Sequence, residues 1–109
     1  MIQQIEGLKL KIIFPDGYNE EEQRTKEWLS FRVELENGKL YEIIIITILR
    51  LGQESNYFLE SNICYYEPNL IIVPEVTMKI VKKVVQYLYE TDKLKSLSDY
   101  KSSWEIIIK

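Results

Sequence analysis

The chain of 109 residues contains no histidine and no alanine. Without histidine it lacks both the commonest general acid–base and the commonest transition-metal ligand. Cysteine occurs once, as Cys64 between Ile63 and Tyr65. No disulfide can therefore form within the chain, and nothing speaks for an oxidising compartment. With no histidine anywhere and no lysine or arginine beside it, Cys64 reads as a small buried hydrophobe rather than a nucleophile. The four glycines (Gly7, Gly17, Gly38 and Gly52) are scattered, so neither a phosphate-cradling loop nor a dinucleotide fingerprint is present. A basic excess is missing too: the formal net charge is −3, which argues against a general nucleic-acid binder. No apolar run approaches the roughly 20 residues of a membrane helix. The opening, "MIQQIEGLKLK", is too polar for a secretory leader, and a cytoplasmic location is the expectation.

What the chain has instead is isoleucine, sixteen times, with eight tyrosines. Its apolar share of 46% and charged share of 28% are those of an ordinary globular protein. At this length folding removes about two-thirds of the unfolded chain's surface from water, enough for one core. Residues 1–109 are therefore read as a single domain. Four consecutive isoleucines stand within "KLYEIIIITILRLG" (39–52), where only Thr47 is polar between Ile43 and Leu49. β-Branched residues with apolar side chains on both faces predict a strand over 39–49, covered on each side.

Upstream, "WLSFRVELE" (28–36) alternates, with Leu29, Phe31, Val33 and Leu35 on one face. Asn37-Gly38 between the two segments is the strongest short hairpin signal. A two-residue loop would place Glu42 opposite Val33 on the apolar face. A three-residue loop with Gly38 in the left-handed position sets Phe31 against Ile43 and Val33 against Tyr41, with Arg32 opposite Glu42. The second register satisfies both faces and is the expected one. It leaves Ile44, Ile46 and Ile48 with Trp28 on the second face, where something must cover them.

The remaining elements follow from similar signals. "LKLKIIF" (8–14) alternates up to the Pro15-Asp16-Gly17 turn and predicts a first strand. Residues 16–27 have no apolar period and predict a loop or frayed helix. Residues 53–67 are compatible with a helix or a strand, with helix preferred, and "NLIIV" (69–73) predicts a strand. "TMKIVKKVVQYLYET" predicts a helix capped by Thr77. Its apolar stripe is Ile80, Val81, Val84, Val85 and Leu88, and its wet face is Lys79, Lys82, Lys83, Gln86 and Glu90. A Ser/Lys-rich connection (93–103) leads to a closing strand, "WEIII" (104–108). The expected fold is α+β: a small antiparallel or mixed sheet of about five strands with one main amphipathic helix on one face.

Chemistry is hard to find on this frame. Asp16 with Glu20, Glu21 and Glu22 fits no calcium-loop spacing and reads as a solvated acidic loop. Glu34 and Glu36 share a strand face but face water, with nothing to desolvate an acid–base pair. Lys79, Lys82 and Lys83 are the solvated side of an amphipathic helix, with a phosphate site as the lesser reading. No catalytic, metal-binding or cofactor-binding residue is assigned. Residues 16–36 carry seven acidic and three basic side chains, a net of −4, whereas residues 78–101 carry six basic and three acidic, a net of +3. Because the acidic segment also holds Tyr18 and Trp28, it suits recognition of a basic protein surface. Charge speeds encounter and aromatics supply buried energy. Asp16, Tyr18, Glu20, Glu21, Glu22 and Trp28 are the candidate partner-binding residues.

The order "NLIIV", "PEVT", "MKIVKKVVQYL" and "LKSLSDYKSSWEI" resembles the C-terminal half of the immunity protein 8 family of bacterial polymorphic-toxin immunity proteins. Leu70 to Val73, Thr77, Leu97, Tyr100, Trp104 and Glu105 carry the resemblance, which spans roughly residues 40–106, and "YEIIII" is compatible with that family's central strand. The resemblance implies a cytoplasmic protein that binds one cognate toxin stoichiometrically and blocks it. No toxin-contacting residue is carried over. Two other classes stand beside it. One is a structural protein that homodimerises through the second face of the Ile43–Ile48 strand; the other is an enzyme using carboxylates and tyrosines.

Overall fold

The computed structural model describes residues 1–5, 7–59 and 69–97. The described elements are β1 (Ile2–Gln4), β2 (Leu10–Ile13), α1 (Glu20–Lys26), β3 (Trp28–Leu35), β4 (Leu40–Ile46), α2 (Ile48–Leu59), β5 (Leu70–Ile72) and α3 (Met78–Glu90), followed by a 3-10 turn at Lys93–Ser96. The strands form one mixed sheet in the order β1-β2-β3-β4-β5. The first four are antiparallel neighbours, and β5 lies parallel to β4. A parallel neighbour needs a crossover, and the chain between β4 and β5 contains α2. The α+β expectation holds.

The central hairpin adopts the bulged register. Phe31 faces Ile43, Arg32 faces Glu42 and Val33 faces Tyr41. The loop closes through Gly38 N–H to Leu35 O at 2.9 Å, with Gly38 at φ +86°. An L-residue there would meet the left-handed penalty, which glycine escapes. The alternative register would have put the Glu42 carboxylate on the core face, and burying an unpaired charge costs more than any turn preference returns.

One face of the sheet carries the core. Leu10, Ile12, Phe14, Leu29, Phe31, Val33, Ile43 and Ile45 cluster with Val81, Val85 and Leu88 of α3 and with Val73, Val76 and Leu94. Thr77 caps α3 as expected, its hydroxyl accepting from Ile80 N–H at 3.2 Å. Ile80 and Val84 complete the stripe as partly buried neighbours of the core. Phe14 stacks on Phe31 with ring centroids 6.4 Å apart, closing the β2 end.

Two expectations need correction. The isoleucine strand stops at Ile46 rather than Leu49. Thr47 ends it: its hydroxyl accepts from Arg50 N–H at 3.2 Å and its carbonyl from Leu51 N–H at 2.9 Å, which starts α2. Ile48 and Leu49 therefore leave the sheet and stand exposed, at 72% and 62%. Residues 20–26 form a capped helix, the second of the two readings of 16–27. At the N-terminus, β1 adds an edge strand where none was expected, pairing Ile2 with Ile13. For residues 53–67 the preference for helix holds over 53–59, the end of α2, and 60–67 lie outside the described residues. So do Cys64, the closing strand expected at 104–108, and Tyr100, Trp104 and Glu105 of the resemblance.

Candidate functional site

The acidic segment begins at the Pro15-Asp16-Gly17 turn, closed by Tyr18 N–H to Pro15 O at 3.1 Å. Gly17 takes φ +75°, which turns Tyr18 back over Phe14. The two rings stack with centroids 4.6 Å apart. Tyr18 is therefore part of the core's margin, not a free anchor. Its phenolic oxygen is buried and has no hydrogen-bond partner among the described residues. Burial, reinforced by the nearby Glu20 carboxylate, raises the phenol's pKa above its ordinary 10.0. Asp16 is exposed on the turn itself.

α1 is built entirely from local terms. The Asn19 side chain accepts from Glu22 N–H at 3.0 Å. Glu20, Glu21 and Glu22 sit in the first turn, and Arg24 and Lys26 in the last, each sign matching its end of the helix dipole. Glu22 and Lys26 pair at 3.1 Å. No residue of the helix is buried, so the three glutamates present their charge to solvent.

Glu27 joins this helix to the sheet. It takes φ +62°, its N–H donates to Gln23 O at 2.9 Å, and its carbonyl accepts from Thr47 N–H at 3.1 Å. That last bond ties the end of α1 to the β4–α2 junction. The same corner collects four exposed apolar side chains, Trp28, Ile48, Leu49 and Ile72. Trp28 pairs across to Ile46 and Ile46 to Ile72, with Trp28 37% and Ile72 52% exposed. Ile48, Leu49, Ile72 and Pro74 line a shallow depression of about 390 Å³ with Glu27. Single exposed apolar residues are commonplace, whereas several side by side are not.

The second sheet face is less bare than the sequence suggested. Ile46 is buried and Ile44 half-buried. Ser30 Oγ donates to Glu42 Oε1 at 2.8 Å, and Arg32 faces Glu42 from the neighbouring strand. A face with this polar content differs from the apolar seam expected of a dimer. Among the described residues no group of three His, Cys, Asp or Glu could hold a metal ion, and no helix is long and apolar enough to cross a membrane.

Of the six predicted residues, Glu20, Glu21 and Glu22 stand on α1, which Glu27 joins to Trp28 at the start of β3, while Tyr18 turns inward and Asp16 stays on the preceding turn. Ile48, Leu49 and Ile72 escaped sequence reasoning because they lay inside runs read as buried strand. The Thr47 hydroxyl before Ile48 was the signal that could have exposed the first two. Comparison with protein-family models, curated proteins and solved structures finds no match to this chain.

Proposed function

We propose that this protein is a non-enzymatic protein-binding module, and specifically an immunity protein that neutralises a cognate bacterial toxin by stoichiometric binding in the cytoplasm. One observation supports this reading above the rest: the exposed acidic helix α1 is hydrogen-bonded through Glu27 to a corner where Trp28, Ile48, Leu49 and Ile72 lie uncovered. Carboxylates beside an apolar patch suit a basic partner that carries its own apolar anchor, because charge governs encounter and desolvated apolar contact governs residence. The resemblance to immunity proteins gives that partner a class.

The test is co-expression with the toxin encoded beside this protein's gene, scored by growth and by binding kinetics. Ile48→Asp with Leu49→Asp removes two anchors that make almost no contribution to the core. The double variant is expected to lose protection and to dissociate at least tenfold faster, the equivalent of about 1.4 kcal/mol. Its melting temperature should stay within about 2 °C of the parent. Unchanged protection would place the interface elsewhere.

A further inference from the structure

Among the described residues, β5 is an edge strand. Asn69 O accepts from Ile44 N–H at 3.2 Å, and Val73 N–H donates to Ile46 O at 2.9 Å. Backbone groups alternate sides along a strand, so residues 69, 71 and 73 bond toward β4. Leu70 and Ile72 thus turn their N–H and C=O groups to the open side. Beside that edge runs a trough of about 380 Å³ between β5 and α3, walled by Ile71, Ile80, Val84, Tyr87 and Leu88, with Lys83 as its charged side chain. A strand edge that no described residue pairs, flanking an apolar trough, meets two needs of one ligand. An extended chain pairs its backbone with the edge and drops alternate side chains into the trough.

Charge selects the occupant. Lys79, Lys82 and Lys83 form no ion pair with any described residue. Glu90, the acidic residue of the same helix, already accepts from Gln86 Nε2 at 2.9 Å. A second copy paired edge to edge would bring two Lys83 side chains to one seam, which like charges oppose. We propose that the trough between the β5 edge and α3 captures an extended, alternating apolar segment of a partner protein, flanked by carboxylates, by strand addition. This surface adjoins the α1 corner and shares Ile72 with it, but the proposal does not rest on the toxin reading.

The probe is the fluorescent peptide acetyl-Glu-Val-Thr-Val-Thr-Val-Glu-amide, titrated against the full chain by anisotropy and by amide NMR. Saturable binding is expected, with the Leu70 and Ile72 amides shifting and becoming protected from exchange. A lysine-flanked version should bind roughly tenfold more weakly. Lys83→Glu should reverse or abolish that preference. Ile72→Pro removes a donor from the open edge without touching a β4 bond, and should abolish binding in a chain that still melts cooperatively. The proposal is overturned if the native chain shows no saturable binding, or if Lys83→Glu leaves the acidic preference intact. It is equally overturned if the Leu70 and Ile72 amides are already protected in the free chain, because another segment or a second copy then holds the edge.

Discussion

Tyr18 shows how a single side chain can change role between sequence and structure. Its ring stacks on Phe14, while its hydroxyl is buried without a partner among the described residues. An unpaired buried hydroxyl costs stability, and the ring contributes it. Tyr18→Phe is therefore expected to melt at or above the parent temperature, and Tyr18→Ala to lose about 2 kcal/mol. The raised phenol pKa adds a pH signature. Because the folded state holds the proton more tightly, its contribution is complete below pH 10.0 and declines as pH rises through the raised value. Urea titrations between pH 8 and 11 should show a shallower alkaline loss in Tyr18→Phe; an identical loss would refute the assignment. Glu27 offers a second test. It occupies the left-handed region at φ +62° at the end of a helix, where glycine is the unstrained residue. Glu27→Gly should raise stability by about 1 kcal/mol, measured by denaturant midpoint at constant slope.

Among the elements, α3 and the hairpin were readable in advance because several local signals agree in each. α3 has a capping threonine, a 3.6-residue apolar period and a lysine-rich opposite face. Thr77→Ala should cost about 1 kcal/mol, seen as a lowered thermal midpoint. Little change would mean that core packing alone positions the helix. The hairpin register followed from Asn37-Gly38 together with the requirement that Glu42 stay off the core face. The boundary between β4 and α2 was not readable in this way. Within Ile43–Leu49 every residue except Thr47 is apolar, so neither a period of two nor one of 3.6 stands out. Only the Thr47 cap breaks the run. β1 was missed for the opposite reason: Ile-Gln-Gln is short and polar, as edge strands often are. α1 needed no core at all, since its cap, dipole-matched charges and the Glu22–Lys26 pair are local.

Over the whole molecule, charge and apolar exposure are both unevenly placed. The acidic α1 adjoins the Trp28, Ile48, Leu49 and Ile72 corner, and Lys83 of α3 lines the trough beside β5. If the corner meets a basic toxin, the triple variant Glu20→Lys, Glu21→Lys, Glu22→Lys should slow association by roughly tenfold or more at low salt. Its dissociation rate should hardly change, and its salt dependence should flatten or invert. Stopped-flow mixing across ionic strengths checks this, and a variant that associates at the parent rate would remove α1 from the interface.

By itself, the amino-acid sequence determined the elements whose physics is local: the Thr77-capped α3, the glycine-closed hairpin and its register, and the α+β class that follows from them. It also determined the sign of each segment's charge, which folding does not alter. The tertiary structure alone decided which apolar residues reach solvent. Ile48 and Leu49 are exposed because Thr47 turns the chain out of the sheet. Tyr18 is drawn inward because the Gly17 turn returns it to Phe14. Those outcomes depend on contacts between residues distant in the chain or on where one element yields to the next, and hydropathy along a sequence carries neither. At the candidate corner the hydrogen bond from Thr47 N–H to Glu27 O joins two segments twenty residues apart, beside the strand pairing that sets Trp28, Ile46 and Ile72 in a row.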